Sequence, residues 1–518
     1  MMPDALSYDE AQHYLVAKSP LAGDFTREFR LRAHPPLAYL LMKPFVALGS
    51  SVYWVRMAQL LCGLATIVVV YRVLGRILHS QGAALLGSFL IAVAPIFVKQ
   101  SIEARHYSLC LLLIWTTLWV WQRMRESGSA GLRTGLKVRA HHLWLAGLQL
   151  LALFTEYSAV FAVVALSLVI YLPLVKREVM RGGWGEILRL ALPQAAVAAT
   201  VLCLFVWHFE GAVPSYSHTE AAVYLGSEGT SGRSLADLFD IGAVLAFLWR
   251  QLGFFQNAIL PGPLGLAVLF APALAFAPWL QGDPRTRACR AIAIYAGVSL
   301  LLSMAASLLG LFPFGGRPRH NAALVPGIVL ASYLALALHL SAKTLPPFAR
   351  RVAAGALAVI IVLGAMQSLR PGLALRETYQ RNLQNLGAAS YRKAPASIVT
   401  NWRGRSYASW WFLPDASPRQ TSGDAREQFL DYDGVRVIET ESPRLLGTHA
   451  LREAKQSGEA WILLSHFREE DTEHLTWVVK QLQSRIEGDP DVELAFAGQA
   501  SFFPPLVVFK LRATPDSG

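Results

Sequence analysis

Ten apolar runs of roughly 16 to 23 residues divide most of the first 370 positions, at 54–74, 82–98, 104–124, 141–156, 157–175, 187–209, 262–281, 290–311, 320–340 and 350–369. No other feature narrows the fold as far. A helical run of that length matches the roughly 30 Å hydrocarbon core of a bilayer. A chain of 518 residues has no water-facing core able to hide ten of them. With 54% hydrophobic and only 16% charged residues, and a mean hydropathy of +0.38, the chain reads as a mostly α, polytopic membrane protein.

The formal net charge of +12 would suit a nucleic-acid partner if it formed one basic face. Instead the Lys and Arg sit in short loops between apolar runs, which excludes nucleic acid and orients the chain. The segments near 72–76, 123–139, 176–189, 285–290 and 343–351 carry about 17 of them, against about six in the loops opposite. The first set is therefore cytoplasmic. The extracytoplasmic face receives the N-terminal 50 residues, the 99–103 link, the turn at Glu156, the loop 210–261, the turn 312–321 and everything after 370. Residues 1–35 are polar and have no span ahead of them to carry them across, so an upstream apolar helix of about 20 residues is expected, lost through a misplaced start. Cys62, Cys110 and Cys203 lie inside apolar runs and Cys289 in a basic loop, with no pairing or zinc spacing.

Residues 35–48 are apolar but short and are interrupted by Lys43 and Pro44; they read as an interfacial helix, as does 235–256. Two domains follow: a transmembrane part over 1–370 and an extracytoplasmic, soluble α/β domain over 371–518. In the latter, β-type runs at 396–400, 409–413, 435–439, 461–465, 492–496 and 506–511 alternate with helical stretches near 443–456 and 469–487. The second helix places Leu475, Val478, Val479 and Leu482 on one packing stripe. The domain lacks a glycine-rich phosphate loop, and a structural, acceptor-docking or partner role is expected.

Candidate chemistry gathers on the outer face. Tyr8-Asp9-Glu10-Ala11 offers two carboxylates, suited to a helix N-terminus, where acids complement the dipole, or to a general base. Glu103-Ala104-Arg105-His106-Tyr107 ends a span, where an arginine can simply snorkel. It can also clamp phosphate with Arg317-Pro318-Arg319-His320, which follows the glycines of Phe312-Pro313-Phe314-Gly315-Gly316. Thr155-Glu156-Tyr157 breaks two apolar segments, and a carboxylate so near the bilayer needs a partner or water. His34-Pro35-Pro36-Leu37 is a stiff turn whose histidine is free to meet phosphate or metal.

In this order, the strings from Tyr8 to His320 resemble those of the integral-membrane glycosyltransferases of the GT-C fold. They are similar to the bacterial branch related to dolichyl-phosphate-mannose protein mannosyltransferases and the lipid A aminoarabinose transferase. The resemblance implies transfer of a hexosyl or pentosyl group from a polyprenyl-phosphate donor to an envelope lipid, glycan or protein, at the extracytoplasmic face of a bacterial inner membrane. It implies Asp9 as base or acceptor-orienting carboxylate with Glu10 beside it. Arg105 would neutralise the donor phosphate, helped by His34, Arg319 or His320, and Glu103, Tyr107 and Glu156 are further candidates. The resemblance leaves a divalent cation open, since some such enzymes need one and others do not, and Asp9, Glu10 and His34 could bind one only if the fold brings them together. The chain departs from the family in lacking a span before Asp9-Glu10, in carrying Glu156 where histidine is common, and in inserting Arg317-Pro318. The alternatives are a transporter or flippase of lipid-linked sugars, disfavoured by almost wholly apolar mid-span positions, and an inactive relative serving as a partner-binding subunit.

Overall fold

The computed structural model describes residues 8–21, 25–26, 34–128, 135–181, 183–210, 263–277, 284–308, 324–341, 397–400, 419–423, 427–432, 435–440, 443–465, 472–500 and 506–514, with scattered helical positions within 241–249 and 347–366. The chain divides into two compact units. One comprises Met1–Glu28, Tyr39–Met57 and Pro371–Gly518, the other Phe29–Ala38 and Ala58–Arg370.

The helical series runs α1 Tyr8–Lys18, α2 Leu37–Leu48, α3 Val52–Leu78, α4 Gln81–Ala92, α5 Pro95–Ile102, α6 Tyr107–Gly128, α7 Gly135–Leu153, α8 Ala159–Met180, α9 Trp184–Glu210, α10 Pro263–Phe270, α11 Pro284–Leu308 and α12 Val325–Ser341. Among the described residues three helices are long and apolar enough to cross a membrane: Val52–Leu78, Ala159–Met180 and Arg285–Ala306. A fourth counts if Gln81–Ala92 and Ile96–Ile102 act together across their 67° bend. That bend lies inside the expected 82–98 run and has a local cause. Pro95 has no N–H to continue the helix and drives Ala94 to the extended φ −65°, ψ 126°. Shorter apolar helices at Leu37–Leu48, Ala140–Leu153, Ala191–Trp207 and Gly327–Leu340 complete the set. Few of the positions in 235–256 are among the described residues.

The interiors are less uniformly apolar than the sequence implies. Gln149 on α7 donates to Ser167 on α8 at 3.2 Å, and Ser167 donates to Gln194 on α9 at 3.2 Å. Gln194 donates in turn to Gln149 at 2.9 Å and to the Tyr171 hydroxyl at 3.1 Å. Each group sits where lipid offers no alternative partner, so the network ties three helices together. It closes on itself instead of opening a polar path. Elsewhere in the same unit, Gly87 on α4 lets Tyr333 of α12 and Leu74 of α3 approach within a space that a Cβ would fill, and the Tyr333 hydroxyl donates to the Ala83 carbonyl.

In the other unit, the carbonyls at the C-terminal end of α1 are capped by a cation. Lys43 Nζ donates to Ala17 O at 2.9 Å and to the Ser19 carbonyl, and lies 5.0 Å from the Phe25 ring. The lysine that interrupts an apolar run thus satisfies a helix end. The same unit holds a seven-stranded sheet, β1 Ser397–Thr400, β2 Arg419–Gly423, β3 Glu427–Tyr432, β4 Val435–Thr440, β5 Glu459–Ser465, β6 Val492–Ala500 and β7 Leu506–Ala513. Its order is β2-β3-β4-β1-β5-β7-β6. β4, β1 and β5 are parallel and the remaining pairs antiparallel. α13 Pro443–Ser457 connects β4 to β5, and α14 Thr472–Glu487 connects β5 to β6. Val478 and Leu482 are buried in one core with Val399, Ile438, Ile462 and Phe509, and Val479 packs against it. The expected run at 409–413, like the side chain of Leu475, lies outside the described residues. β2 escapes the sequence reading because Arg-Gln-Thr-Ser-Gly carries no apolar alternation, as an edge strand can afford, and β3 because Phe429-Leu430 is too short an apolar run to stand out.

Candidate functional site

Three loops of the larger helical unit build the site, each broken out of helix for a local reason. Pro35 and Pro36 exclude helical geometry at His34, and the chain is then tied down where Leu37 N donates to Phe154 O at 3.0 Å. After α5 the chain turns at extended Glu103, with φ −92° and ψ 136°. Arg105 N donates to Glu103 O at 2.8 Å. Ser108 Oγ, buried, reaches Gln100 O at 2.9 Å and fastens the start of α6 to the end of α5. α7 stops at Leu153, and Glu156 Oε1 accepts the N–H of Ser158 at 3.1 Å just before α8. The apolar runs 104–124 and 141–156 therefore give helices that start at Tyr107 and end at Leu153, leaving Arg105, His106 and Glu156 in the loops.

The loops converge on one oxygen. Glu156 Oε2 is 3.1 Å from His34 Nδ1 and in closer contact with His106 Nε2. The two imidazole rings lie 4.0 Å apart, tilted by 37°. His106 is wholly buried, whereas the His34 side chain is 24% exposed. Arg105 is buried beside them, its guanidinium 5.0 Å from the Tyr107 ring, and that ring is 4.1 Å from His106. Burial pushes the His106 imidazole down to about 3, with His34 and Arg105 adding to the effect. Burial alone would raise the Glu156 carboxyl, but the two histidines hold it well below the usual carboxylate range. His106 therefore stands as a neutral imidazole against the Glu156 carboxylate. This cluster presents a buried cation, two imidazoles and a fixed carboxylate at the mouths of helices, a set suited to holding an anionic oxygen.

Of the residues singled out in the sequence, His34, Arg105, Tyr107 and Glu156 meet here. Glu103 is in the same loop, with its carboxylate 3.7 Å from Lys99 Nζ, one turn back. Glu10 lies in the other unit and is held by a residue the sequence reading passed over. Arg56 Nε donates to Glu10 Oε1 at 2.6 Å and Nη2 to Oε2 at 2.8 Å, with both side chains 2% exposed. Asp9 is in the first turn of α1, its side chain outside the described residues, as are Arg319 and His320. His106 is the site residue missed, and Arg56 the missed partner of Glu10 in the other unit. Both had a signal: a charged or imidazole side chain beside or within an apolar run requires a partner, and Glu156 and Glu10 were the acids awaiting one.

Residues 33–209, which contain this cluster, match the family model described as dolichyl-phosphate-mannose-protein mannosyltransferase. ArnT from Cupriavidus metallidurans in the apo state superposes with a TM-score of 0.51 at 15% identity, over 98% of this chain and 94% of that one. Its undecaprenyl phosphate-bound form gives 0.52 at 14% identity, over 100% of this chain and 95% of that one. The chain has the GT-C fold of integral-membrane glycosyltransferases. The Archaeoglobus fulgidus oligosaccharyltransferase, tethered with an acceptor peptide, matches at a TM-score of 0.46 and 12% identity, over 79% of this chain and 59% of that one. No curated protein matches by sequence at a significant level. In this GT-C chain the loops that carry the cluster lie between helices α1 and α2, α5 and α6, and α7 and α8.

Proposed function

We propose that this protein transfers a sugar from a polyprenyl-phosphate donor to an envelope lipid, glycan or protein on the extracytoplasmic face of a bacterial inner membrane. The observation that carries the reading is the convergence of His34, Arg105, His106 and Glu156 from three loops, in a chain whose fold is shared with a protein solved with undecaprenyl phosphate. In this reading Arg105 and His34 take up the charge that grows on the phosphate as the anomeric C–O bond breaks. Arg319 and His320 are assigned to the same phosphate. Asp9 accepts the proton of the attacking acceptor hydroxyl, worth roughly 10²–10⁴ in rate, and the product forms with inversion. Glu10, forked onto Arg56, fixes the helix that carries Asp9. The loop positions of His34, Arg105, His106 and Glu156, and the self-contained hydrogen bonding of the polar residues between α7, α8 and α9, favour transfer over conduction.

Reconstitution with labelled polyprenyl-phosphate sugars tests this. Transfer of label to an envelope extract, abolished by Asp9→Asn in a protein that still inserts and folds, is the expected result. Translocation without turnover would establish a flippase instead, and full activity in Asp9→Asn would remove Asp9 from the mechanism.

A further inference from the structure

We propose that His34, His106 and Glu156 form a binding site for one divalent cation of the zinc class. Two imidazole nitrogens and one carboxylate oxygen meet around a single point, from three separate loops. His34 Nδ1 is 3.1 Å from Glu156 Oε2, His106 Nε2 touches the same oxygen, and the rings lie 4.0 Å apart. Here both nitrogens crowd Oε2, because Oε1 is committed to the Ser158 N–H.

The donor chemistry selects the ion. Nitrogen with oxygen is the ligand set of zinc and its first-row neighbours, whereas magnesium and calcium take oxygen alone. Bonds of about 2.1 Å in tetrahedral geometry set neighbouring ligand atoms roughly 3.4 Å apart. The His34–Glu156 separation of 3.1 Å is within a few tenths of an ångström of that value. A small rotation that opens the His106 contact completes it. Supports of the kind that orient ligands are in place: Ser158 N–H fixes the carboxylate, and the Leu37–Phe154 bond fixes the His34 loop to the Glu156 loop. Three protein ligands leave a coordination position open, and Arg105 lies in the same cluster. That position suits an anionic oxygen such as a phosphate oxygen. This consequence rests on the transferase reading, but the cation site does not.

The test needs no turnover, so its failure and the failure of the transferase reading are distinguishable. The full chain, purified in detergent and stripped with chelator, is titrated with Co²⁺ as the probe, reading visible d–d absorption and bound metal. One equivalent with a saturable band that Zn²⁺ abolishes is expected. Glu156→Gln should weaken Co²⁺ binding at least about tenfold, the lower end of what even outer-shell changes cause, and Glu103→Gln should leave it unchanged. His34→Gln provides an independent ligand deletion should Glu156→Gln lose its fold, judged by monodisperse elution. Absence of a saturable band in the unaltered protein overturns the proposal, as does binding that survives both ligand substitutions.

Discussion

Replacing Arg56 with Met tests the logic of the buried acids most directly. Arg56 and Glu10 are each 2% exposed and joined by two charge-assisted bonds of 2.6 and 2.8 Å. Methionine keeps most of the apolar stem and removes only the guanidinium. What remains is a carboxylate with its cation gone and little access to water. Breaking a buried pair from one side costs about 3–5 kcal/mol, mostly the desolvation of the charge left behind. The double variant Glu10→Gln with Arg56→Met removes that charge too, and replacing both partners of a buried pair is commonly close to neutral. The double variant should therefore be more stable than Arg56→Met alone, by about 2–4 kcal/mol. Thermal midpoints of the four proteins in detergent, followed by scanning fluorimetry, read this out at roughly 2–4 °C per kcal/mol for a domain of ordinary size. A midpoint for Arg56→Met equal to that of the parent would show that the pair holds nothing together. A double variant no better than the single would place the loss in packing instead of charge.

Arg105→Lys keeps the charge but loses the planar fork and its stacking 5.0 Å from Tyr107; donor KM should rise about tenfold or more with the folded protein intact, and unchanged donor kinetics would exclude a phosphate role. Gly87→Ala puts a Cβ into Tyr333 and Leu74, an overpacking of about 1–3 kcal/mol visible as a lower thermal midpoint, whereas Gly82→Ala, whose Cβ would meet open space, should lose nothing. The buried imidazole fixes a pH dependence. In the unfolded chain His106 takes up a proton near its ordinary 6.5, but in the folded protein only near about 3, because burial opposes the charge. Between those values the unfolded chain binds more protons, so stability falls as pH drops, by at most about 1.4 kcal/mol per unit. The depressed Glu156 carboxyl adds the same sign below its ordinary value. Thermal midpoints that do not fall from pH 7 toward pH 4, or that fall as steeply in His106→Gln, would refute the assignment.

How far the sequence reached can be followed residue by residue. Hydropathy located the helices because lipid imposes one rule on every spanning residue, and alternation located most strands of the C-terminal sheet because they are buried on one or both faces. Polarity hid β2, whose sequence carries no face to read, and a proline hid the 67° bend at Ala94 inside an unbroken apolar run. The candidate site was legible as motifs but not as pairings. His34, Arg105 and Glu156 each stood out for polarity at the end of an apolar run. Their meeting depends on the Leu37–Phe154 and Ser108–Gln100 hydrogen bonds, which have no signature in composition or period. Arg56 was hidden differently, by lying within a segment already accounted for as a span.

The two buried acids divide the work that a charged group can do in such a place. Glu10 meets an arginine, which stays charged at every accessible pH, and both its oxygens are taken by one rigid fork. No ligand can displace that partner cheaply, so the pair is a fixed element of the scaffold. Glu156 is held by two imidazoles, groups that can donate a proton, accept one, or exchange it for a metal at little cost. One of them, His34, also keeps about a quarter of its side chain open to solvent. A site that must bind a charged headgroup, release it and bind another needs partners of the second kind. By this argument the exchangeable chemistry lies at Glu156, and substitutions there should alter what the site binds, whereas substitutions at Glu10 should alter whether the chain folds.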